Sequence, residues 1–181
     1  MKLNNLFYKS ILAIIFSSNY CISHAQYAEK EFTKNITNAR DLNDSIVALI
    51  DLSEHYRFTK PDKGLIYAKE ALKLSHQNGD TSLMIKSSNK LAILKKENSE
   101  NTSALGTILN SLAWASKLKK DTLIANTQLV AGHVYSSLKN EKAAISNYKE
   151  CLRFFKSIND SNGISYTYSG LGIVYYDNKK F

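Results

Sequence analysis

Ala131-Gly132-His133-Val134-Tyr135 returns forty residues later as Leu171-Gly172-Ile173-Val174-Tyr175, and a weaker copy, Leu91-Ala92-Ile93-Leu94-Lys95, stands forty residues earlier. A fixed period of this length, with a small residue where two helices must approach closely, is the pattern of stacked helical hairpins. It predicts an all-α chain, a right-handed α-solenoid of antiparallel hairpins. The remaining composition agrees. One proline and seven glycines interrupt 181 residues, and no Val/Ile/Thr alternation bounded by turn residues suggests a sheet.

Asp44, Asp80, Asp121 and Asp160 stand at intervals of 36, 41 and 39 residues, each followed by Ser or Thr. An Asp side chain accepts from the free amides of a first helical turn and complements the dipole there, so these four are expected as N-caps. They divide the chain into units 44–79, 80–120, 121–159 and 160–181, with an additional capping helix over 27–43. Breaks between the two helices of a unit are expected at Thr59-Lys60-Pro61, Glu97 to Glu100, and Lys139-Asn140. Pro61 suits a first helical position, where its missing amide costs nothing. The fourth unit holds only a first helix.

The units resemble tetratricopeptide repeats of a longer, roughly forty-residue kind. Unit three carries the pattern best, with Ala131-Gly132, Tyr135, Ala144, Tyr148 and Cys151-Leu152. Unit two follows with Leu91-Ala92, Ala104, Ile108 and Ser111-Leu112, but has Lys95 in place of the tyrosine. Unit one has Leu52-Ser53, Tyr56, Gly64, Ala68 and Ala71-Leu72 after a one-residue deletion; unit four has Leu171-Gly172 and Tyr175. The resemblance implies that Ser53, Ala92, Gly132 and Gly172 lie at helix crossings, where a larger side chain would push the pair apart. Tyrosines 135, 148 and 175 are expected to fill the adjoining space with their hydroxyls reaching water.

Residues 1–25 read as a secretory signal peptide. Lys2 and Lys9 flank the start, Ile11 to Phe16 is a short apolar run, and Ser23-His24-Ala25 supplies small residues before Gln26. Cleavage after Ala25 would lower the formal charge from +8 to +6, because two lysines leave and no acidic residue does. The expected location is periplasmic or secreted, with no stable membrane span after cleavage. The lysines cluster at Lys95-Lys96, Lys119-Lys120 and Lys179-Lys180 near helix ends rather than as a stripe on one face, so no nucleic-acid partner is expected. Cys151, the cysteine left in the mature chain, has no partner for an internal disulfide and is expected as a small buried residue.

No chemistry beyond binding is legible. His55, His76 and His133 have no metal-ligand spacing, and neither a phosphate loop nor a nucleophile elbow is present. No cofactor, metal or enzymatic activity is expected. The resemblance implies instead a concave groove lined by the first helices. Its positions fall on Val47, Ile50 and Glu54, then Lys86, Asn89 and Ile93, then Asn126, Leu129 and His133, and finally Tyr166, Ser169 and Ile173.

The clamp by which one subclass of the family grips a terminal carboxylate is missing, its positions being held by Asn89, Ile93, Val130, Tyr166 and Gly170. Two functions are therefore expected to compete. One is an exported scaffold that binds a protein or peptide in its groove. The other is the N-terminal sensory part of a signalling protein with a histidine kinase or DNA-binding output. Leu171, Ile173, Tyr175 and Tyr176 cannot all be covered by unit three, so self-association through the last helix is a further expectation.

Overall fold

A computed structural model describes residues 41–178. The expected signal peptide and nearly all of the expected capping helix lie outside the described residues. Seven helices follow one another: α1 Leu42–His55, α2 Pro61–Asn78, α3 Thr81–Glu97, α4 Asn101–Leu118, α5 Asp121–Ser137, α6 Glu141–Ser157 and α7 Ser161–Asn178. No strand occurs among the described residues. The chain is an all-α solenoid.

Each helix packs on the next. In addition α1 touches α3, α3 touches α5 and α5 touches α7, whereas α2, α4 and α6 do not approach one another. Contacts along one row and none along the other put α1, α3, α5 and α7 on an inner side and spread the alternate helices outside. Small residues permit the close approaches. A Cβ added to Gly64 in α2 would lie 2.9 Å from the Ser53 carbonyl oxygen of α1. One added to Gly132 in α5 would lie 2.5 Å from the Tyr148 ring of α6. Ala92 and Ala104, both without exposed surface, share a core cluster with Ile108, Val130, Ala131 and Val134.

Gly172 departs from expectation. Nothing lies within 4 Å of a Cβ built there. Two other glycines of α7 make the close contacts: Gly170 would place a Cβ 2.5 Å from Tyr148, and Gly163 would place one 2.5 Å from Phe155. Forty residues earlier, at the previous joint, the equivalents of these pairs are Val130 with Ile108 in one cluster, and Leu123 with Ala115 in another. Thus a ring on glycine at the α6–α7 joint replaces aliphatic residues of intermediate size at the α4–α5 joint.

The turns are more regular than the sequence suggests. Gly79, Ser99, Lys119, Lys139 and Asn159 all have positive φ, between 53° and 71°, at an interval of twenty residues. At three of them the next amide reaches back across the last turn: Glu100 to the Lys95 carbonyl at 2.8 Å, Asn140 to Tyr135 at 2.9 Å, and Asp160 to Phe155 at 2.9 Å. That is the Schellman closure of a helix C-terminus, which leaves one residue left-handed.

Two of the four expected aspartate caps need correction. Asp80 accepts from the Leu83 amide at 3.0 Å and Asp160 from the Gly163 amide at 3.0 Å, as expected. The cap of α1 is Asp41, which accepts from the amide of Asp44 at 2.8 Å, so Asp44 is already inside the helix. Asp121 is the first helical residue of α5, behind Lys120, and meets the dipole as a charge rather than a cap.

Candidate functional site

On the inner side, a cavity of about 460 Å³ is lined by Glu54, Arg57 and Phe58 from α1 and its C-terminal turn, Ile93 and Lys96 from α3, Leu129, Val130 and His133 from α5, and Tyr166 from α7. Of the expected groove residues it brings together Glu54, Ile93, Leu129, His133 and Tyr166. Lys86, Asn126, Ser169 and Ile173 are exposed but do not line it, nor do Val47 and Ile50. Arg57, Phe58, Lys96 and Val130 join the wall without having been expected as groove residues. Arg57 and Phe58 belong to the turn after α1, and Arg57 and Lys96 each stand one residue past the repeat's tyrosine position, where the resemblance supplied no groove residue.

Asn89 is a correction. Only 9% of it is exposed. Its amide nitrogen donates to Thr127 Oγ1 at 2.9 Å and its oxygen accepts from Ser111 Oγ at 2.6 Å, which ties α3 to α5 and α4. The side chain is committed to the core and does not face a ligand.

His133 is set by Tyr148. The tyrosine is 1% exposed, and its hydroxyl lies 2.8 Å from His133 Nδ1, not in water as the sequence suggested. Burial raises the Tyr148 phenol above its ordinary range, so it keeps its proton; the hydroxyl has no other acceptor among the described residues, so that proton goes to Nδ1. Burial, with the nearby charges of Lys96 and Arg57, lowers His133 to about 4. At neutral pH the imidazole is uncharged, and with Nδ1 accepting, its proton sits on Nε2. Nε2 has no partner among the described residues and is not among their buried unpaired atoms. The ring therefore offers an N–H donor on the edge away from Tyr148.

Beside it runs a chain of charges. Lys90 pairs with Glu54, Glu54 with Arg57 at 3.5 Å, Arg57 with Glu97 at 2.7 Å, and Glu97 with Lys96 at 3.1 Å. Burial raises both carboxyls, but hydrogen bonds and charge from Lys90 and Arg57 on Glu54, and from Arg57 and Lys96 on Glu97, outweigh it and hold each below its usual value. Three cations against two carboxylates leave one positive charge in excess. Arg57 also lies 4.7 Å over the exposed Phe58 ring.

Cys151 is buried without a disulfide, 3.6 Å from Thr167 Oγ1, and burial raises its thiol, so it is packing rather than a nucleophile. Among the described residues no cluster of His, Cys, Asp and Glu is placed to hold a metal ion, and no helix is long and apolar enough to cross a membrane.

The backbone has counterparts of known structure. BtubC from P. vanneervenii superposes with a TM-score of 0.70 at 21% identity, over 92% of this chain and 70% of that one. The fold is that of a helical-repeat solenoid. A signal transduction ATPase with numerous domains from Pyrococcus horikoshii, described as having a tetratricopeptide repeat sensor, superposes with a TM-score of 0.66 at 18% identity. It too matches over 92% of this chain, which spans about a quarter (25%) of that protein. No protein-family model matches the sequence, and no curated protein matches it.

Proposed function

We propose that this chain is a non-enzymatic, protein- or peptide-binding scaffold of the tetratricopeptide-repeat type, exported to the bacterial envelope. The observation that carries the reading is the inner-side cavity, where half-buried aliphatic side chains stand beside a fixed N–H donor and charged groups. A mostly apolar concavity with few polar groups is how proteins hold ligands, and a row of first helices presents it along the stack. Panning a random seven-residue peptide library on the full chain tests this. Selected peptides should lose binding in Tyr166→Ala, inside the cavity, and keep it in Ile66→Ala, equally exposed on outer helix α2. Equal loss or no selected peptide refutes it. Export is tested by mass spectrometry of envelope material: Gln26 is the expected start, and an intact Met1 on exported protein refutes cleavage.

The second reading, a sensory part of a signalling protein, is favoured by the likeness to a protein whose repeats are described as a sensor. An open frame continuing past the codon for Phe181 into a membrane helix and an output domain would decide for it. On either reading, the exposed Tyr166, Tyr168, Ile173, Tyr175 and Tyr176 of α7 favour association through that helix. Light scattering of the purified chain across a concentration series reads this, and a strict monomer refutes it.

A further inference from the structure

Resting on the peptide-binding reading, we infer that the cavity selects an acidic segment: a carboxylate received by His133 Nε2–H and the ammonium of Lys96, next to an apolar side chain seated between Ile93, Leu129 and Tyr166. Three features converge. His133 is locked as a donor by Tyr148 on its far edge, so it cannot accept from a ligand's N–H at Nδ1 and presents one fixed polar direction. The charges lining that part of the wall are unbalanced toward positive. Both carboxylates near it, Glu54 and Glu97, are already engaged by Lys90, Arg57 and Lys96, which leaves little to attract a basic ligand. A carboxylate entering here replaces water with two charge-assisted hydrogen bonds, the stronger kind. The apolar wall beside it gives the adjacent side chain somewhere to go.

The chemistry is that of a carboxylate beside an apolar group, which a peptide supplies either as an Asp or Glu side chain or as its C-terminus. Two seven-residue random libraries, one amidated and one ending in a free carboxylate, are panned in parallel on the full chain and on Lys96→Glu. Lys96→Gln serves as the milder variant, and thermal melts by circular dichroism verify that both fold. Asp or Glu next to an aliphatic or aromatic residue should be enriched about tenfold over Asn or Gln. The preference should weaken in Lys96→Gln and shift toward Lys or Arg in Lys96→Glu. Enrichment confined to free C-termini assigns the carboxylate to the chain end; enrichment in both libraries assigns it to a side chain. Apolar peptides selected without any acidic preference overturn this inference and leave the peptide-binding reading standing. An acidic preference unchanged by either Lys96 variant overturns the assigned site. No enrichment at all removes both.

Discussion

Gly132 and Gly172 occupy the same place in successive repeats, yet alanine at the two positions should move stability in opposite directions. In a helix interior, replacing Gly by Ala gains about 0.8–1 kcal/mol from propensity alone. At Gly172 a new Cβ meets nothing within 4 Å, so Gly172→Ala should realise most of that gain. At Gly132 the same atom would lie 2.5–2.9 Å from three atoms of the Tyr148 ring. The ring cannot swing aside, since it is fully buried, its hydroxyl is held by His133 at 2.8 Å, and Gly170 presses it from α7. Overpacking of this kind costs about 1–3 kcal/mol. The net effect of Gly132→Ala is therefore a loss of up to about 2 kcal/mol. Urea denaturation of both variants and the parent gives the comparison, with the slope required to remain constant so that midpoints report stability. Equal upward shifts would show that α5 and α6 are not in contact at this crossing. Loss at Gly172 would show that something crosses it, as α6 crosses Gly132.

Three further outcomes can be measured. His133 titrates near 4 in the fold against 6.5 unfolded, so the unfolded chain binds the extra proton between those values and stability rises with pH there. About 3 kcal/mol present at neutral pH should be lost on descending from pH 6.5 to 4, and His133→Gln should flatten that limb; an unchanged limb refutes the buried neutral imidazole. Lys119 is held left-handed at φ 53°, a cost that glycine avoids, so Lys119→Gly should stabilise by about 0.5 kcal/mol net of its greater unfolded entropy, read as a higher urea midpoint. Asn89→Ala leaves Thr127 and Ser111 without their shared amide and should cost about 1–3 kcal/mol; a change below about 0.5 kcal/mol, ordinary for a surface site, would put Asn89 back among the ligand-facing residues.

The solenoid was legible because its period is written in small residues. Ala92, Gly132 and Ser53 had to be small for their helices to cross, and the repeat resemblance located them. The turns were harder, since four of the five left-handed positions hold Ser, Lys, Lys and Asn, and only Gly79 advertises its conformation. Gly163 and Gly170 went unread for a different reason. Their partners Phe155 and Tyr148 lie on the preceding helix, and at the previous joint those places hold Ala115 and Ile108 opposite Leu123 and Val130. A repeat comparison that looks for identity passes over such compensated pairs. In the cavity, the groove positions implied by the repeat resemblance include Glu54, Ile93, Leu129, His133 and Tyr166, but the resemblance assigned Asn89 to the same face. A helix position that faces the inner row is also near its neighbours in that row, and an amide with two hydroxyls in reach turns to them. Arg57 and Lys96 share one repeat position, just past the tyrosine, that was not among the groove positions.

The exchange of sizes between the two joints bears on assembly. If every joint were built from the same aliphatic pairs, α7 could stack on α4 as readily as on α6, and a nascent or partly unfolded chain could close in the wrong order, a recognised hazard of repeat proteins. Here Tyr148 and Phe155 would strike Val130 and Leu123 if offered the wrong helix, while Gly163 and Gly170 against Ile108 and Ala115 would leave voids. Each joint thus rejects its neighbour's partner by clash on one side and by emptiness on the other, so that the order of the hairpins is enforced by volume as well as by chain connectivity.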